Sequence, residues 1–212
     1  EVARRLLESV STPFLIVAGE QIRGVGRSGN SWDNVDAGFY GTFVFKRMKQ
    51  ELNGLSLYLG LKILKKLRLS ADFASLKWPN DLLVRDTGRK FAGILIEACE
   101  KDLLVGVGLN IQCSGPYGSL QDFGLSFSYV NLCQILESAI SEGVNEFFDD
   151  FFKLPVDEIL DYDYFQGRQI FIGDSDEILS PIGISPEGYL ICRDSSGQIV
   201  SIISACRIRV VD

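Results

Sequence analysis

Three short apolar runs, at 82–84, 91–97 and 103–108, follow one another with only Asp86-Thr87-Gly88 and Glu100-Lys101-Asp102 as turns. Connections that short allow a hairpin but no crossover helix, so the runs predict an antiparallel meander. Two further apolar runs, at 14–18 and 39–45, and a short one at 74–78 ending before Pro79 extend the strand set. The meander is flanked by helical patterns. Leu57, Leu61, Leu64 and the Ile63–Leu67 pair recur at three- and four-residue spacing over 54–69. A second helix is expected over 131–152, with Ile135, Leu136, Ala139, Ile140, Val144, Phe147, Phe148 and Phe151 as its core stripe. Shorter helical pieces are expected at 1–9 and 156–160. The fold class is therefore α+β, a mixed or antiparallel sheet with flanking helices.

From Phe165 onward the pattern changes to short β-rich pieces at 169–172, 178–184, 189–193, 199–203 and 208–211, separated by Gly, Asp and Ser turns. These predict a small five-stranded, SH3-like β-barrel, giving two domains, 1–163 and 164–212. The stretch 19–41 holds six glycines and reads as a long polar loop, a length that usually serves function. Lys62, Lys65, Lys66 and Arg68 crowd the end of the first long helix, where they suit its dipole or form a basic patch for a partner.

Composition narrows the chemistry. With 21 basic and 28 acidic residues the net charge is −7, which argues against a nucleic-acid binder. No apolar run is long enough to cross a membrane and no secretion signal is visible, so a cytoplasmic protein is expected. The five cysteines are odd in number and lack a Cys-x-x-Cys spacing; reduced thiols are expected, with neither a disulfide framework nor a zinc site. There is no histidine. A histidine general base and a Ser-His-Asp triad are thus excluded, and chemistry must run on Lys, Arg, carboxylates, amides and backbone dipoles.

Four segments have the residue types for such chemistry. Gly24-Val25-Gly26-Arg27-Ser28-Gly29-Asn30-Ser31-Trp32 offers close backbone approach, a guanidinium for phosphate and an indole for stacking, though the spacing is not a P-loop. Lys77-Trp78-Pro79-Asn80-Asp81 places a lysine at a strand end before a constrained turn, where it can act as a fixed cation. Gly88-Arg89-Lys90-Phe91-Ala92-Gly93-Ile94-Leu95-Ile96-Glu97 reads as a strand with a small-residue notch. Gly106-Val107-Gly108-Leu109-Asn110 has two more strand glycines and an amide that can read a hydrogen-bonding edge. Taken singly, a plain loop or ordinary sheet packing accounts for the first, third and fourth.

In this order and spacing the segments resemble the biotin protein ligase family, the biotin–[acetyl-CoA-carboxylase] ligases, of the single-function type without an N-terminal DNA-binding domain. The likeness covers nearly the whole chain, with Ser204-Ala205-Cys206-Arg207-Ile208-Arg209 similar to the family's closing strand. It implies a biotinyl/lipoyl ligase-like catalytic domain followed by the small barrel. It also implies a two-step reaction: biotin and ATP with Mg²⁺ give biotinoyl-5′-AMP, and the biotinyl group then passes to a lysine of a biotin carboxyl carrier domain. The residues implied as catalytic are Lys77, at the reacting carboxylate and α-phosphate, and Arg27, which helps retain the adenylate. Gln21, Gly24, Gly26, Lys77, Gly93, Gly106 and Gly108 are implied around biotin, and Arg27, Trp32, Asn80, Asn110 and Arg209 around the nucleotide. No metal ligand is assigned, since Mg²⁺ is expected on the phosphates. The sheet edge common in this architecture offers a surface for a homodimer.

The sequence departs from the family where the loop is usually Gly-Arg-Gly-Arg-x-Gly-Arg-x-Trp: Val25 replaces its first arginine and Asn30 its last. The sequence opens at Glu1-Val2-Ala3, which reads like the helix directly after the family's Ser-Thr-Asn opening motif, and Ser11-Thr12-Pro13 is a poor substitute for it. These departures give weight to a non-catalytic biotin- or carrier-binding protein as the alternative, beside a lipoate or octanoate ligase.

Overall fold

The computed structural model describes residues 1–46, 51–204 and 207–211. Along the chain run α1 (Val2–Leu6), β1 (Phe14–Ala18), β2 (Gly24–Val25), β3 (Ser31–Trp32), β4 (Ala37–Lys46), α2 (Leu55–Lys66), β5 (Ala74–Lys77), β6 (Asp81–Val84), β7 (Lys90–Cys99) and β8 (Asp102–Gln112). Then come α3 (Tyr129–Phe147), α4 (Val156–Asp161), β9 (Ile170–Ile172), β10 (Ser180–Ile184), β11 (Leu190–Arg193), β12 (Ile199–Ile202) and β13 (Ile208–Val210).

The expected meander is the middle of a six-stranded antiparallel sheet, ordered β1-β4-β8-β7-β6-β5. Strand alternation sorts its side chains. Phe43, Phe45, Val105, Val107, Leu109, Ala92 and Ile94 point to one face, where α2 and α3 cover them in the main core. The opposite face carries Thr42, Val44, Leu104, Gly106, Gly108 and Gly93. There Val44 and Leu104 are covered by Ala3 of α1. Beyond them small residues keep that face flat.

The helices dock as their stripes require. Gly60 of α2 lies against Leu76 and Leu82, and Gly143 of α3 against Leu59. A Cβ at Gly60 would sit 2.8 Å from Leu76 Cδ2 and 3.1 Å from Leu82 Cδ2. Gly60→Val is therefore expected to lower stability by about 1–3 kcal/mol through overpacking. Urea unfolding reads it, and an unchanged midpoint would contradict this packing. The basic cluster of α2 turns out to be paired within the fold: Lys62 with Glu142 and Glu146, Lys66 with Glu142, and Lys65 with Glu158. Hydrogen bonds from Lys66 and then Ser138, with the Lys66 and Lys62 charges, hold the Glu142 carboxyl down at about 2.

Some expectations are corrected. The helix over 131–152 is displaced: it starts at Tyr129, capped by the Ser128 hydroxyl, and ends at Phe147. Asp149 Oδ1 accepts a hydrogen bond from the Phe151 backbone in the turn that follows, so Phe151 leaves the core stripe and is 91% exposed. The 19–41 loop contains the β2–β3 hairpin, and β4 already begins at Ala37.

The five C-terminal strands form a three-stranded sheet, β10-β11-β12, and the pair β13-β9, joined through an Ile170–Leu179 bridge. Their buried residues Phe165, Ile170, Leu179, Ile184, Leu190 and Cys192 belong to the same core cluster as the large sheet. The backbone leading into them is stitched to β5, with Leu76 donating to Tyr162 O and Tyr164 donating to Leu76 O. Cys99, Cys113, Cys133 and Cys192 are free thiols, while Ala205 and Cys206 lie outside the described residues. Among the described residues no helix is long and apolar enough to cross a membrane.

Candidate active site

The open sheet face is built by register. Gly93 of β7 pairs with Gly108 of β8, and Leu95 with Gly106, which in turn faces Thr42 of β4. With no side chain at three of these places, a flat group can lie directly on the sheet backbone. The β2–β3 hairpin folds over this floor and sets the Trp32 indole on it. A Cβ at Gly93 would come within 2.8 Å of the indole, and one at Gly108 within 2.5 Å.

The hairpin itself is short and well tied. Gly26 N donates to Asn30 O at 2.7 Å and Asn30 N to Arg27 O at 3.1 Å; Gly29 at the tip has φ +79°, a conformation natural to glycine. Upstream, Gln21 is clamped through its backbone by both polar ends of the Asn34 amide. Gly24 is buried between Trp32 and the Gln21 side chain.

These elements enclose a cavity lined by Gln21, Gly26, Arg27, Trp32, Asn80, Gly93, Gly106 and Gly108, together with Arg23, Thr42, Lys90, Leu95 and Glu97. Arg23, Arg27 and Lys90 supply its positive charge. Glu97, four residues along β7 from Gly93, is held by Arg4 at 2.6 Å. A smaller cavity adjoins on the far side of Trp32 and Lys90, lined also by Ser31, Asp33, Asn110 and Tyr117. Asn110 is 3% exposed; its amide nitrogen donates to Gly118 O at 2.9 Å and its carbonyl oxygen has no partner.

Buried polar atoms without partners are uncommon and call for an explanation. Among the described residues five side-chain atoms are in that condition, and three of them belong here: Gln21 Oε1, Trp32 Nε1 and Asn110 Oδ1. Two acceptors and a donor around a glycine floor fit a ligand with ring amide or amine groups.

The sequence-predicted residues are thus largely brought together, with three exceptions: Gly24, behind Trp32 and Gln21, lines neither cavity, nor do the following two. Arg209 is exposed, lies over the Phe171 ring and reaches toward Gly173 O at 3.5 Å, outside both cavities. Lys77 is also outside them: its Nζ reaches Ile208 O at 3.5 Å, on the C-terminal β unit. Burial pushes the Lys77 ammonium below the usual lysine range; Asp81 opposes the shift and the Lys90 charge adds to it. The lysine at the cavity wall is Lys90, which lies in the third singled-out segment but to which sequence reasoning gave no role. Its Nζ pairs with Asp81 at 2.6 Å and stands 4.8 Å over the Trp32 ring. Arg27 reaches Asn80 Oδ1 at 3.5 Å, and the Asn80 amide is itself fixed by donating to Ile94 O at 2.9 Å.

A glycine-floored pocket thus adjoins a second, amide-lined one, with a lysine between them and an arginine on the covering hairpin. The chain belongs to the biotin/lipoate A/B protein ligase family, whose model matches residues 3–113. It is 28% identical over 194 residues to the bifunctional ligase/repressor BirA of Escherichia coli, an alignment covering 82% of this chain and 60% of that protein. It is 34% identical over 105 residues to the biotin–[acetyl-CoA-carboxylase] ligase of Mycobacterium tuberculosis, covering 46% of this chain and 39% of that one. The chain therefore spans 60% or less of these relatives' lengths. Among solved structures it resembles the biotin protein ligase of Aquifex aeolicus in complex with biotin and ATP, with a TM-score of 0.84 and 26% identity, over 98% of this chain and 94% of that one.

Proposed function

We propose that this chain is an ATP-dependent biotin protein ligase, which activates biotin as biotinoyl-5′-AMP and passes it to a lysine of a biotin carboxyl carrier domain. The observation that carries this reading is Lys90, standing between a glycine-floored cavity and an amide-lined one, with Trp32 as their common wall. The flat ring of biotin lies at the Gly106 end of this floor, beside the Trp32 indole that covers Gly93 and Gly108, within reach of the unpartnered Gln21 oxygen. The adenine takes the Asn110 side, against Trp32. The biotin carboxylate then meets the α-phosphate beside Lys90 and Arg27.

Both reactants are anionic, so the first step depends on charge neutralisation and alignment more than on proton transfer. The carboxylate oxygen attacks the α-phosphorus, and the bond to the bridging oxygen of the β-phosphate breaks to release pyrophosphate. Lys90 and Arg27 hold the oxygens on which charge gathers. In the second step the neutral amine of the carrier lysine attacks the acyl carbon, and AMP leaves as the amide forms. Among the described residues no cluster of three or more acidic, cysteine or histidine side chains is placed to hold a metal. Mg²⁺ would arrive on the triphosphate and would supply charge neutralisation there.

The domain division at 163/164, a reduced cytoplasmic setting and a homodimer formed through the β1 edge of the sheet belong to the same proposal. Biotin- and ATP-dependent pyrophosphate release tests its core. Release supports the ligase; biotin binding without release would favour a binding protein that has lost its phosphate chemistry, the alternative raised by Val25 and Asn30.

Arg27 is the guanidinium on the hairpin that closes over both cavities. Arg27→Gly is expected to let the adenylate escape, giving biotinylation of lysines on bystander proteins. Labelling of a mixture of carrier domain and serum albumin reads this; labelling confined to the carrier would remove Arg27 from that role.

A further inference from the structure

The segment Lys77–Asp81 has two sides. Asn80 lines the cavity, and Asn80 and Asp81 hold two of its three cations, Arg27 and Lys90. Lys77 and Trp78 face the C-terminal β unit. The Trp78 indole is 3% exposed and donates through Nε1 to Gly188 O at 2.9 Å, while Lys77 reaches Ile208 O. Between the halves, the Pro79 carbonyl is pinned to α2 by the Ser56 hydroxyl at 2.8 Å.

Gly188 is packed with unusual closeness. It has φ +86°, and a Cβ there would collide with the Gly54 backbone ahead of α2. Two more polar contacts cross the same seam: Asn53 to the Tyr189 hydroxyl at 3.3 Å, and Arg27 to the Ser204 hydroxyl at 3.5 Å. A cavity runs along it, bordered by Trp78, Pro79, Gly188 and Arg27, so at this stretch directed bonds supplement the shared core.

We propose that Trp78 is a positioning residue: its hydrogen bond to Gly188 seats the C-terminal β unit on the Lys77–Asp81 segment, and that seat fixes where Asn80 and Asp81 hold Arg27 and Lys90. The adenylation step thus depends on a contact that touches neither biotin nor nucleotide. This rests on the ligase reading for its kinetic consequence, but the mechanical coupling stands apart from it.

Trp78→Phe keeps the buried aromatic volume and removes the donor. Pyrophosphate-release kinetics, biotin titration calorimetry and amide hydrogen exchange on the full chain test the proposal. The expected result is a roughly tenfold fall in kcat, a biotin dissociation constant within twofold of the parent, and faster exchange both at 180–193 and in the 24–32 hairpin. Faster exchange confined to 180–193, or a lower melting temperature with unchanged kcat, would overturn it. Tyr189→Phe, a gentler change on the same seam, is expected to move the same readouts in the same direction and serves if Trp78→Phe does not fold; no change at 24–32 would then count against the proposal. Should the parent chain release no pyrophosphate, the ligase reading fails, while the exchange comparison still decides the coupling.

Discussion

Lys90→Met is expected to lower biotin-dependent pyrophosphate release by about two to three orders of magnitude, the usual cost of removing one preorganised group that stabilises developing charge. Methionine keeps much of the apolar stem, so contact with Trp32 survives and only the cation is lost. The fold should tolerate the change: the Lys90 side chain is about one-third exposed, and Asp81, left without its partner, remains partly in solvent. Lys77→Met makes the decisive comparison, because Lys77 occupies the motif position to which the sequence assigns the reacting carboxylate. A larger loss with Lys77→Met than with Lys90→Met would restore that assignment and displace Lys90.

The two lysines also show where sequence reasoning works and where it stops. Strand alternation is legible, so Gly106 and Gly108 could be put on one side of a strand from spacing alone, while Gly93 joined them through the family resemblance. The same alternation puts Lys90, three residues before Gly93, on the helix-covered face. The structure departs from it there: Leu82 pairs with Ala92 but Leu83 with Lys90, so Phe91 is the extra residue of a bulge. Phe91 drops into the core at 0% exposure and Lys90 swings to the open face. Bulges re-aim side chains near active sites, and nothing in the local composition announces this one. Lys77, in regular register opposite Asp81, lands at the sheet's outer edge, where the C-terminal unit covers it. That covering is a long-range contact, beyond any reading of local pattern. The glycine-rich hairpin was hidden for the opposite reason: strands of two residues each carry no periodicity to detect.

Gly24 is the place where the hairpin, the Gln21 side chain and the Trp32 backbone converge, and Gly24→Ala is expected to raise the biotin dissociation constant at least about tenfold, roughly 1.4 kcal/mol. The argument is steric. Gly24 pairs with Trp32 across the β2–β3 ladder, and its backbone is not in a left-handed conformation, so alanine meets no torsional penalty there. The added methyl would instead overlap the Trp32 carbonyl oxygen and come within 2.6 Å of Gln21 Oε1. A carbonyl in a ladder cannot rotate away as a side-chain end can. Relief must come from shifting the hairpin, which moves the indole off Gly93 and Gly108 and turns the Gln21 oxygen away from the cavity. Gly19→Ala is the matched control, since a Cβ at Gly19 meets nothing within 4 Å. Titration calorimetry of both variants with biotin separates the outcomes. Weakened binding by Gly24→Ala alone supports a hairpin that forms the roof of the biotin site, whereas equal affinities would mean that the glycine floor binds without it.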